Sequence, residues 1–148
     1  MAKVRSVTIL MAEDSPSDAE LARQAFKDGK LLNDLLIVKD GEECLAYLRK
    51  EGKYSSAIRP DLILLDLNMP KKGGLEVLEE LKKDPQLMAI PVAILTTSES
   101  QQDILKSYQL QASSFITKPV EFEKFIELAN NVKQFYFDVC TLPSSEGK

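Results

Sequence analysis

The chain has 148 residues, 44% hydrophobic and 28% charged, with 19 basic against 23 acidic residues and a net charge of −4. That length is one domain's worth, able to bury about 70% of its unfolded surface. No apolar run approaches the roughly 20 residues of a bilayer span, and no basic block offers nucleic acid a cationic face. Histidine is missing altogether, which excludes Ser-His-Asp and Cys-His nucleophile pairs and every histidine-ligated metal site.

"SVTILMA" (Ser6 to Ala12) is a β-branched apolar run, read as the first strand and broken by "EDSPS". Ser15 before Pro16 is a helix N-cap with proline at the first helical position. Leu21, Ala22, Ala25 and Phe26 recur at helical spacing until Gly29. "LLIV" (Leu35 to Val38) is the second strand, and Asp40-Gly41 opens a helix carrying Cys44, Leu45 and Leu48. A polar loop leads to the third strand, Leu62 to Asp66. Gly74 starts a helix with Leu75, Val77, Leu78 and Leu81 inward, closed by Asp84-Pro85. "PVAIL" (Pro91 to Leu95) is the fourth strand. Gln102 to Leu110 reads as a weaker helix, "SFIT" (Ser114 to Thr117) as a short fifth strand, and Glu121 onward as a long last helix. The opening residues lack a signal peptide's long apolar centre. Cys44 and Cys140 stand far apart and in no metal-like spacing, so two free thiols in a reducing cytoplasm are expected.

Near-continuous apolar strands alternating with helices imply a parallel sheet covered on both faces, a doubly wound α/β fold of five strands. Ligands bind such sheets at the carboxyl ends of the strands. The residues just past each strand are therefore informative: Glu13 and Asp14 after the first, Asp66 at the end of the third, Thr96 and Thr97 after the fourth, Lys118 after the fifth. Strand parity puts three carboxylates, a hydroxyl and an ammonium on one edge. Carboxylates this close either share a proton or hold a divalent cation. Oxygen ligands without histidine or thiolate point to magnesium. A cation and a lysine around one nucleophilic carboxylate suit a phosphoryl group.

With the acid pair Glu13-Asp14, Asp66-Leu67-Asn68-Met69-Pro70 followed by Gly74, Thr96, and Lys118-Pro119, the chain resembles a response-regulator receiver domain of two-component signalling, over roughly residues 5 to 137. The resemblance implies a flavodoxin-like sheet of strand order 2-1-3-4-5, with a receiver domain over 1–137 and an extension over 138–148. It implies Asp66 as acceptor of a phosphoryl group from a phosphohistidine, which here must belong to a partner histidine kinase. Asp14 and Asp66 would ligate Mg2+, with the Asn68 carbonyl as a further ligand and Glu13 acting through water. Lys118 and Thr96 would bond phosphoryl oxygens, Phe115 would swing inward with Thr96, and Lys118-Pro119 resembles the family's cis bond. Thr97 departs from the commoner, smaller residue, leaving the rate of self-dephosphorylation open; Asn68 and Ser98 occupy the other positions that tune it.

"DGEECLAYLRKEGKY", "RPDLILLDLNMPKKGG", "ILTTSES" and "FYFDVCTLP" are similar to regulators paired with bacterial and cyanobacterial phytochromes, which implies a phytochrome kinase as partner and a homodimer. In the last helix Phe122, Phe125, Ile126, Ala129, Val132 and Tyr136 suffice to face the sheet. Leu128, Phe135, Val139 and Leu142 fall off that stripe and form a second apolar seam, the expected dimer interface. Eleven residues lie beyond Phe137, too few for a DNA-binding domain of at least about 50, so the expected regulator acts alone through a partner, or as a relay or phosphate sink. The alternative is a magnesium-dependent phosphatase with an aspartyl nucleophile, which would want a second Asp where this chain has Asn68.

Overall fold

In the computed structural model, which describes residues 7–28, 33–67, 69, 71–96, 114–118 and 123, five strands form one parallel sheet. At residues 33, 96 and 114–117 the description is of the backbone. The strands are β1 (Val7–Ala12), β2 (Asn33–Val38), β3 (Leu62–Asp66), β4 (Val92–Thr96) and β5 (Ser114–Thr117). Between them run the helices α1 (Pro16–Asp28), α2 (Gly41–Leu48) and α3 (Gly74–Lys83), with a short 3₁₀ turn at Gly52–Tyr54. The order is β2-β1-β3-β4-β5, as expected. The register sets Ala12 beside Val38 and Leu65, and Asp66 beside Leu95, so the strand tips line up along one edge.

Alternation along the strands feeds two cores. Leu10 and Ala12 of β1, Ile63 and Leu65 of β3, and Val92 and Ile94 of β4 pack in one cluster with Cys44, Leu45 and Leu48 of α2 and Val77, Leu78 and Leu81 of α3. The residues between them, Ile9, Met11, Leu62, Leu64, Ala93 and Leu95, are equally buried and face the other side of the sheet. A right-handed β1–α1–β2 crossover lays α1 on that side, where Ala22 and Phe26 are buried. Each fully buried Val, Leu, Ile, Met or Phe side chain among them contributes roughly 1.5–3 kcal/mol by leaving water.

Two sequence expectations need correction. Leu21 is 52% exposed, because the buried stripe of α1 narrows to Ala22 and Phe26 and Leu21 lies at its rim. Leu75 is only half-buried, packed against the outside of the α2–α3 cluster. The helix starts match expectation: Ser15 Oγ accepts from the Asp18 amide (3.3 Å), and Asp40 Oδ1 accepts from the Glu43 amide (2.8 Å). The helix expected at Gln102–Leu110, the cis bond at Pro119, Cys140 and the seam Leu128, Phe135, Val139 and Leu142 lie outside the described residues.

Glycine is required where α3 begins. A Cβ on Gly74 would stand 2.4 Å from the carbonyl oxygen of Asp66, so only glycine lets the helix start this close to the tip of β3. The Gly74 amide closes the turn on the Leu67 carbonyl at 3.1 Å. The acid at the tip of the strand and the glycine eight residues on are thus packed backbone to backbone.

Candidate functional site

Asp66 ends β3 in the middle of the sheet, with β1 on one side and β4 on the other. Glu13 and Asp14 come directly after β1, and Glu13 is fixed there by its own amide, which donates to the Val38 carbonyl at 2.9 Å. Glu13 and Asp66 are buried, 2% and 5% exposed, whereas Asp14 is exposed. One carboxylate oxygen from each of the three lies within 4.8 Å of the others. The register alone produces this meeting of residues some fifty positions apart in the chain.

Lys118, directly after β5, reaches into the same spot. Its ammonium lies 2.9 Å from Glu13 Oε1, 3.1 Å from Asp66 Oδ2 and 3.2 Å from Asp18 Oδ2. It donates a hydrogen bond to Glu13 Oε2 at 3.2 Å, and that oxygen also accepts from the Ser15 amide at 3.1 Å. Glu13 Oε1, fully buried, has the same ammonium at 2.9 Å as its charge partner and no hydrogen-bond donor besides.

The electrostatics result from this crowding. Burial pushes the Asp66 carboxyl up to about 7, the charge of Glu13 adds to the rise, and Lys118 opposes it. Burial pulls the Lys118 ammonium down, but the hydrogen bonds and charges of Glu13 and Asp66 outweigh it and leave the ammonium raised. One cation therefore faces more negative charge than it can balance. An oxygen-only donor set of three converging carboxylates, more than one ammonium can neutralise, fits a hard divalent cation.

Of the residues expected at the site, the structure brings Glu13, Asp14, Asp66 and Lys118 together. Thr96 and Phe115 enter through their backbones: Thr96 ends β4 opposite Thr117, and Phe115 pairs with Ile94. Asn68, Thr97 and Ser98 lie outside the described residues. Asp18 was not among the residues expected. Its signal was available in outline, since a helix opening at Pro16 directly after the β1 tip overhangs the same edge with its first turn.

A model of the response regulator receiver domain matches residues 9–130 of the chain. The chain therefore belongs to the response regulator receiver family, whose members take a phosphoryl group from a histidine kinase. Among curated proteins, response regulator Rcp1 of Synechocystis sp. is 39% identical over 137 residues, 93% of this chain and 93% of Rcp1. The crystal structure of the Mn(2+)-bound form of Rcp1 superposes with a TM-score of 0.72, at 39% identity, over 93% of this chain and 99% of that one. The bacteriophytochrome response regulator AtBRR matches with a TM-score of 0.82 and 39% identity over 87% of this chain and 94% of its own. The phosphorylated cyanobacterial phytochrome response regulator RcpA matches at 0.74 and 42% identity, over 94% and 99% respectively. Among the described residues, no helix is long and apolar enough to cross a membrane.

Proposed function

We propose that Asp66 is the phosphoacceptor of this response regulator and that its working cation is Mg2+. The observation that carries the reading is the seat of Asp66, buried at the centre of the sheet edge with Lys118 Nζ 3.1 Å from its Oδ2 and two further acids within reach. In the transfer, an Asp66 carboxylate oxygen attacks phosphorus, a P–O bond forms and the P–N bond of the donor phosphohistidine breaks. The electron pair returns to the imidazole nitrogen, and the product is an acyl phosphate. Lys118 balances charge on a phosphoryl oxygen, and Thr96 bonds another when the switch with Phe115 closes. Glu13, Asp14 and Asp66, with the Asn68 carbonyl, would hold Mg2+, which when bound would offset the negative charge gathered on the phosphoryl oxygens.

The proposed donor is a phytochrome histidine kinase, a reading supported by the phytochrome regulators this chain is similar to. The proposed working form is a homodimer through the seam Leu128, Phe135, Val139 and Leu142, since a two-fold contact is the commonest way to bury a self-complementary apolar patch. Signalling rather than turnover of phosphomonoesters is the proposed role, because Asn68 replaces the acid that a phosphatase of this nucleophile type would use.

The test is incubation with acetyl phosphate and Mg2+. Wild type should be labelled and Asp66→Asn, which keeps the size and loses the nucleophile, should not. Equal labelling of both would remove Asp66 from the mechanism.

A further inference from the structure

Lys118 holds one carboxylate more than the proposed transfer uses. Asp18 Oδ2 lies 3.2 Å from its ammonium, and the two residues are 100 positions apart in sequence. An acid in the first turn of a helix ordinarily serves the helix start, through the dipole or by reaching back to the N-cap amide. Here that amide, on Ser15, is already taken by Glu13 Oε2 at 3.1 Å, and Ser15 Oγ caps the Asp18 amide in return. The Asp18 side chain is thus free of the helix start and reaches from α1 to the residue just past β5. It is also the outermost of the three partners, its side chain 34% exposed against 0% for Glu13 and 7% for Asp66.

The three partners differ in what else they do. On the reading of Asp66 as phosphoacceptor, on which this inference rests, Glu13 and Asp66 have other duties once a cation and a phosphoryl group arrive. Asp18 lies outside the trio whose oxygens converge within 4.8 Å. We propose that Asp18 is a positioning residue that holds the Lys118 ammonium beside Asp66 while its two other partners are engaged elsewhere. An ammonium has three protons to donate, so one can stay on Asp18 while another turns to a phosphoryl oxygen. Without Asp18 the long lysine side chain would have to be ordered afresh at each transfer.

The experiment measures the rate of phosphorylation by acetyl phosphate and the Mg2+ dissociation constant of the full chain. Asp18→Asn should slow phosphorylation roughly three- to tenfold while Mg2+ affinity stays within about twofold. Asp18→Glu, which keeps the charge, should recover most of the rate. In a Lys118→Ala background, itself slow, Asp18→Asn should have no further effect, because the two act as a unit. An Asp18→Asn rate equal to or above wild type overturns the proposal, and so does an equal slowing with and without Lys118. If the label survives Asp66→Asn, or Lys118→Ala reacts as fast as wild type, the function beneath the proposal has failed and the proposal falls with it.

Discussion

Replacing Asp66 by Asn should stabilise the metal-free protein, and should do so more strongly as pH rises. The carboxyl titrates at about 7 in the folded chain, against an ordinary value of 3.8, first through burial and then through the charge of Glu13. Below pH 3.8 the carboxyl is neutral in both folded and unfolded chains, and no penalty exists. Between the two values the native state binds the extra proton, so stability falls as pH rises; above about 7 the penalty is complete. Ionising a group so displaced costs the native state about 4 kcal/mol as an upper limit. Water at the open end of the sheet and movement of Lys118 reduce this, and a difference of about 1–3 kcal/mol is expected at high pH. The variant leaves Lys118 paired with Glu13 and Asp18, and its amide can donate to Glu13. The assay is urea denaturation in EDTA of both proteins at about pH 5 and about pH 8. The sequence holds no histidine to titrate in that window. If the gain from Asp66→Asn were the same at both pH values, or absent at the higher, the buried-acid account of Asp66 would be wrong.

Magnesium should stabilise wild type by binding the native state, by about 2.7 kcal/mol at a hundredfold excess over its dissociation constant, and so raise its melting temperature. Asp14→Ala should abolish that gain in a thermal scan; a shift retained in the variant would move the cation away from the acid cluster. For the apolar seam, the double substitution Phe135→Glu with Leu142→Glu should sediment as a folded monomer that still accepts phosphate. A persistent dimer would place the interface elsewhere.

Much of this architecture is legible in the sequence. Runs such as Leu62 to Leu65 are apolar at every position because β3 is covered on both faces, and that pattern survives in one dimension. The convergence of Glu13, Asp14, Asp66 and Lys118 survives too, since parallel strands place all their carboxyl ends on one edge. Leu21 is misplaced for a different reason: periodicity marks a stripe but not its width, and the rim of α1 stays wet. Asp18 escapes notice because a first-turn acid has an adequate local explanation. Only the coordinates show that Glu13 has taken the N-cap amide and left Asp18 for Lys118.

On the proposed function, the same geometry links protonation, metal binding and phosphoryl transfer at this site. Among the described residues, with every group ionised, Glu13, Asp18 and Asp66 contact the Lys118 ammonium and Asp14 joins the two buried acids, four negative charges against one positive. A dianionic phosphoryl group entering that excess would be repelled at close quarters. On the proposed reading of Asp66 as nucleophile, a proton on it relieves one charge but blocks attack, whereas a divalent cation would relieve two and leave it ionised. The elevated Asp66 pKa, set first by burial and then by the charge of Glu13, marks a site that disfavours a further negative charge unless a cation is present. The buried Glu13 makes this unavoidable: held by the Ser15 amide and 2% exposed, it cannot turn to solvent to shed its share of the repulsion.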